Sequence, residues 1–158
     1  MCALLAVDLG LRTGLALFGR DGRLVSYRSR NFGTATRLRR RVHSLLDELP
    51  RLRRIVLEGG GPLAKIWEHE ARRREIIVRQ ISAETWRKRL FYPRQQRNGP
   101  QAKLNAKDMA RRVIEWSDAP RPTSLRHDAA EAILIGLWGV LDAGWLKRLP
   151  PGIRRTAH

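Results

Sequence analysis

The sequence predicts an α/β fold built on a mixed five-stranded sheet, three antiparallel strands plus parallel strands, flanked by helices. Three observations predict it. Three short apolar runs at 4–7, 14–18 and 24–27 are separated by tight-turn signals, as in an antiparallel meander. Two further apolar runs, at 53–58 and 76–81, alternate with helical patterns, which implies a parallel portion of sheet. A chain of 158 residues, 42% hydrophobic and 30% charged, suffices for one domain with a sizeable core.

The first run ends in the carboxylate of Asp8 and passes through Leu9-Gly10-Leu11-Arg12-Thr13-Gly14 into the second. An acid that closes a buried strand is held by the core on one side and open to a metal or phosphate on the other. An Asp that merely starts a turn is the simpler alternative. Gly19-Arg20-Asp21-Gly22 is a hairpin signal leading to the third strand. Thr34 or Thr36 can cap a helix to about Leu49, with Leu38, Val42, Leu45, Leu46 and Leu49 on one face and Arg37, Arg39, Arg40 and Arg41 around the others. Pro50 ends it.

Residues 53–58 repeat the opening pattern, an apolar strand ending in Glu58, followed at once by Gly59-Gly60-Gly61-Pro62. A helix over 63–73 and a strand over 76–81 follow. A short helix then begins at Ser82 or Ala83 and contains Trp86-Arg87-Lys88-Arg89. Residues 91–101, with Pro93, Arg94, Arg97, Asn98, Gly99 and Pro100, read as a mobile basic loop. A helix over 103–116 has Leu104, Met109, Val113 and Ile114 as core candidates. Residues 118–122 break the chain, and Thr123 or Ser124 caps a last long helix through His127, Asp128 and Glu131. Residues 1–148 are expected to form a single domain and 149–158 a flexible tail.

Lys and Arg number 32 against 15 Asp and Glu, a formal charge of +17. Such an excess repels itself in the compact state, so a polyanionic partner is expected, nucleic acid rather than a membrane surface. The single Cys2 excludes an internal disulfide framework and a cysteine zinc site, and fits a reducing cytoplasm. The apolar N-terminal run is interrupted by Asp8 and lacks a preceding basic region, unlike a signal peptide. The run over 129–140 contains Glu131 and is too short to span a bilayer. The expected location is cytoplasmic.

Asp128 and Glu131 lie three apart, on one face of the last helix and near its N-terminus, where negative charge is tolerated. If strands one and four are parallel neighbours, Asp8 and Glu58 end side by side. Crowded carboxylates raise one another's pKa, and a divalent cation removes the repulsion. Hard oxygen donors with few histidines favour Mg²⁺ or Mn²⁺ over zinc. Two such ions can activate a water and stabilise the leaving oxygen in phosphodiester hydrolysis. Helix-terminal acids that serve only the dipole remain the alternative for Asp128 and Glu131.

Asp8 with Gly10 and Gly14 after strand one, Glu58 at the end of strand four, and Asp128-Ala-Ala-Glu131-Ala on the last helix resemble the RuvC branch of the ribonuclease H-like nucleases. The element order is similar over about residues 3–141. The resemblance implies a homodimeric resolvase of four-way (Holliday) DNA junctions with two Mg²⁺ or Mn²⁺ ions per active site, in a bacterial or phage-type, nucleoid-associated setting. It implies Asp8, Glu58, Asp128 and Glu131 as the acidic, metal-binding quartet. Lys103 falls where the family carries a catalytic lysine, with Lys107 the competing candidate. Where the family has Asp, or a His–Asp pair, the second acid here is Glu131, and His127 can substitute as ligand or base. The family's aromatic wedge after the strand-four acid is replaced by glycines, leaving Leu63 or Trp67 to serve. The basic residues expected on nucleic acid are Arg12, Lys65, Arg72, Arg73, Lys88, Arg94, Arg97, Lys103 and Lys107. A branch-migration partner is not indicated.

Three alternatives stay open. The same fold can act on RNA or RNA–DNA hybrids, as in the similar YqgF-type relatives. A noncatalytic nucleic-acid binder would make the acid placement accidental. The opening loop also resembles the first phosphate loop of sugar-kinase and actin-like ATPases, but those need two such domains, and 158 residues hold one.

Overall fold

The structure is a computed structural model that describes residues 2–96 and 98–154. Five strands form one sheet: β1 (Ala3–Asp8), β2 (Arg12–Gly19), β3 (Leu24–Asn31), β4 (Leu52–Glu58) and β5 (Ile77–Ile81). Their spatial order is β3-β2-β1-β4-β5. The pairs β1/β2 and β2/β3 are antiparallel, and β1/β4 and β4/β5 are parallel, as expected. The helices are α1 (Ala35–Asp47), α2 (Pro62–Arg73), α3 (Ala83–Leu90), α4 (Gly99–Ser117) and α5 (His127–Asp142), with a 3₁₀ turn at Pro93–Gln96.

Side-chain alternation along the sheet divides the core in two. Leu5, Val7, Leu15 and Ile55 pack against Leu38, Val42 and Leu46 of α1 and Ile66, Trp67 and Ala71 of α2. Leu4, Ala6, Ala16, Phe18 and Val56 face the other way, onto α3, α4 and α5. Helix α5 is buried from Ala129 to Leu141 because it lies between the sheet and α4. That sandwiching explains why its sequence is apolar all round. Gly14 of β2 lets α5 approach: a Cβ there would run into the Asp128 carbonyl oxygen. Gly136 does the same against the ring of Phe18.

Several boundaries differ from expectation. Of the two expected caps of α1, Thr34 is the one used, accepting from Arg37 N–H at 3.2 Å. Helix α5 is capped by neither Thr123 nor Ser124. It starts at His127 after an extended Arg126, because burial of Leu125 holds the preceding segment against the core. Among the described residues, 91–96 and 98–101 are not a free loop. Asn98 caps α4 through Gln101 N–H, Asn105 donates to the Gln95 carbonyl at 2.8 Å, and α4 begins at Gly99. Leu104 is 58% exposed rather than core, because the buried stripe of α4 runs through Ala106, Met109, Ala110, Val113 and Ile114. The expected tail is packed as far as Arg154. Ile153 is buried, and the Arg154 guanidinium donates to the Leu90 and Arg89 carbonyls. Residues 155–158 lie outside the described residues.

Candidate active site

The parallel pairing of β1 with β4 sets Asp8 directly opposite Glu58 in register. Both side chains emerge on the α5 face, because they share parity with Ala6 and Val56 of that core. The strand ends are pinned beyond the acids. Leu9 N–H donates to the Glu58 carbonyl at 3.2 Å, Gly59 N–H to the Ile81 carbonyl at 3.2 Å, and Gln80 Nε2 to the Gly59 carbonyl at 2.6 Å. Gly59 takes φ +116°, a conformation L side chains rarely adopt, so the glycine run permits the chain to turn away immediately after Glu58.

Helix α5 supplies the third acid. Ligand oxygens of Asp8, Glu58 and Glu131 all lie within 4.8 Å of one another. Asp128 stands outside that group. Its Oδ2 accepts from Ser29 Oγ of β3 at 2.5 Å and its Oδ1 from Ala129 N–H at 3.1 Å. Its charge still reaches the cluster. The Asp8 carboxyl is pushed up to about 8, first by burial, then by hydrogen bonding with Glu58, then by the charges of Glu131, Glu58 and Asp128. Without a cation, Asp8 therefore keeps its proton to higher pH, which relieves the repulsion among the crowded carboxylates.

Glu131, 7% exposed, is held by a cation and a histidine. Its Oε1 accepts from Arg87 Nη2 of α3 at 2.8 Å and faces His127 Nε2 at 3.0 Å. His127 therefore contacts Glu131 rather than replacing it in the acid group, and both of these contacts fall on Oε1. Sequence reasoning missed Arg87. The available signal was that α3 follows β5 directly, so its residues start at the same sheet edge as Asp8 and Glu58.

The remaining expected residues lie apart. Lys103 is exposed and Lys107 half-buried, and among the described residues neither makes a hydrogen bond or ion pair with the acids. Trp67 is fully buried in the α1–α2 core, so it is no wedge; Leu63 is half-buried beside it. Arg12, Lys65, Arg72, Arg73, Lys88 and Arg94 are exposed. Arg73 pairs with Glu70 at 3.4 Å, and Arg94 lies over the Tyr92 ring. Arg97 lies outside the described residues.

The acid group fits a hard divalent cation. All donors are carboxylate oxygens, and an octahedral ion with bonds of about 2.1 Å brings its ligand oxygens to roughly 3–4 Å of one another. The three acids here lie within 4.8 Å of one another, close enough for side-chain rotation to bring their oxygens onto one ion. Burial, the hydrogen bond with Glu58 and the neighbouring acid charges all raise the Asp8 carboxyl, and a cation among these oxygens would lower it again.

No protein-family model matches this sequence, and no curated protein does. Solved structures do match. The RuvC of Thermus thermophilus in complex with a Holliday junction substrate aligns with TM-score 0.64 at 17% identity, covering 91% of this chain and 96% of that one. A second Thermus thermophilus RuvC structure aligns with TM-score 0.61 at 16% identity, covering 90% and 96%. The yeast mitochondrial Holliday junction resolvase Ydc2 aligns with TM-score 0.55 at 12% identity, covering 90% and 81%. The sheet order, the five helices and these alignments together establish that this chain has the ribonuclease H-like fold of the RuvC structures.

Proposed function

We propose that this chain is a divalent-metal-dependent endonuclease of the RuvC kind, which hydrolyses phosphodiester bonds in four-way DNA junctions. The observation that carries the proposal is the convergence of Asp8, Glu58 and Glu131 within 4.8 Å at one end of the sheet, in a chain of charge +17. Mg²⁺ or Mn²⁺ bound there would activate the attacking water and offset charge on the leaving oxygen. Asp8 and Glu58, fixed by adjacent strands, would supply two ligands, and Glu131 a third. Asp128 would join once released from Ser29, or act through its charge. Arg87 and His127 hold Glu131 in place, and Lys103 or Lys107 would approach the substrate phosphate. The exposed basic residues would bind the DNA backbone, so affinity should fall steeply with salt. A homodimer would match the two-fold symmetry of a junction. A cytoplasmic, nucleoid-associated location would suit such a substrate.

The test incubates the protein with labelled four-way junction, linear duplex and RNA–DNA hybrid, each with Mg²⁺, Mn²⁺ or chelator, beside an Asp8→Asn variant. Metal-dependent cutting of the junction, lost in the variant, is expected. An intact junction with every metal, or equal cutting by Asp8→Asn, overturns the proposal. Preferential cutting of the hybrid moves the substrate to RNA–DNA duplexes on the same site.

A further inference from the structure

A second charged feature lies on the opposite face of the sheet. Arg28 and Arg30 of β3 flank Ser29, whose hydroxyl binds Asp128 on the α5 face. Strand alternation therefore sends both arginines to the α1 face. There they meet α1, whose Arg37, Arg40 and Arg41 follow helical spacing on the side away from Leu38 and Val42. The five guanidiniums line two adjoining clefts that share Arg30, Arg41 and the buried ring of Phe32.

These arginines are not used by the fold. Among the described residues, none of the five has a carboxylate within 4.0 Å, and none donates a side-chain hydrogen bond to the protein. Among the described residues, Glu48 is the one acid lining either cleft. Burial and the charge of Arg30 hold the Arg28 guanidinium below its ordinary value, against the pull of Glu48. By contrast, Arg74 of α2 is committed to Asp47 and Glu70. Five cations against a single carboxylate on a concave surface favour an anion with several charges at short spacing. Guanidinium forks match phosphate oxygens.

Position selects the anion. Ser29 is in register with Gly14, which is in register with Asp8. The backbone of the arginine pair thus stands two strand spacings, roughly 10 Å, from that of Asp8 across the sheet, with the side chains on opposite faces. A chain of phosphates that leaves the acid cluster and rounds the β3 edge would reach these clefts. We propose that the β3–α1 clefts bind the phosphodiester backbone of the duplex arm that adjoins the cut site. The inference rests on the nuclease reading for its partner being nucleic acid.

The test compares wild type, an Arg30→Gln/Arg40→Gln variant and a Lys147→Gln/Arg148→Gln control of equal charge change. Lys147 and Arg148 are exposed and line neither cleft. Anisotropy with a fluorescent four-way junction in Ca²⁺ is followed from about 50 to 300 mM KCl, with thermal melting to confirm folding. Each phosphate that is no longer neutralised lowers the slope of log affinity against log salt by about 0.9. Removing both cleft arginines should therefore lower it by about 1.8 and weaken binding about 30-fold at 0.15 M salt. The control should stay within about threefold of wild type, with an unchanged slope. A cleft variant that matches the control in affinity and slope overturns the inference, whether both are weakened or neither. Wild type that binds neither junction nor duplex refutes the nuclease reading itself, a separate result. If the cleft variant does not fold, Arg37→Gln/Arg41→Gln, on the exposed face of α1, carries the same expectation.

Discussion

Replacing Asp8 by Asn should stabilise the cation-free protein, and increasingly so as pH rises. The reason is the proton that the acid cluster holds. An Asp in an unfolded chain titrates near its ordinary 3.8, whereas in the fold Asp8 is pushed up to about 8 by burial, Glu58, Glu131 and Asp128. Below pH 4 both states are protonated and no cost appears. Between pH 4 and 8 only the folded state keeps the proton, so stability falls as pH rises, and the whole cost is present above pH 8. At about 1.4 kcal/mol per pKa unit, a displacement of about 4 units sets a ceiling near 6 kcal/mol. Solvent screening at a half-buried site reduces this to roughly 3 kcal/mol. Asn cannot ionise and can still donate to Glu58. With EDTA present, Asp8→Asn should melt about 6–12 °C above wild type at pH 8.5 and within about 2 °C of it at pH 4. Differential scanning fluorimetry across this range measures the gap. Millimolar Mn²⁺ should raise the wild-type midpoint at pH 8.5 and leave Asp8→Asn nearly unmoved, closing the gap from below. A gap that is flat with pH, or wider at pH 4 than at 8.5, would refute the crowding argument.

Arg87→Ala leaves the buried Glu131 with His127 as its protein partner, so it should lower the urea-derived stability by about 2 kcal/mol at neutral pH and weaken Mn²⁺ binding in calorimetry. Gly14→Ala drives a methyl group into the Asp128 carbonyl and should cost about 1–3 kcal/mol in denaturant titrations while displacing the start of α5. Glu70, 5% exposed, is pulled up by burial but further down by Arg74 and His43, so its carboxyl lies below the ordinary range. Its contribution is present above the unfolded pKa and is lost as pH falls through the folded one. Glu70→Gln should therefore lower the urea midpoint at pH 7 and lose that effect near pH 3.

By itself, the chain order of apolar runs and breakers determined the sheet and its helices. Period-2 and period-3.6 patterns are local, and a right-handed crossover leaves few ways to join them. Asp8 and Glu58 were legible as neighbours for the same reason: each closes a buried strand, and adjacent parallel strands bring their ends together. Glu131 was legible because its spacing from Asp128 is a helical one. The choices among side chains were not legible. Whether Asp128 joins the acids depends on Ser29, 99 positions away, and Glu131 is held by Arg87, 44 positions away. Trp67 reads as a wedge or a core residue until α1 covers it. The arginines of α1 read as an ordinary solvated face until β3 sets Arg28 and Arg30 beside them. Hydrogen bonds and charge clusters form between elements far apart in sequence, so their partners are decided by tertiary packing and by no local pattern.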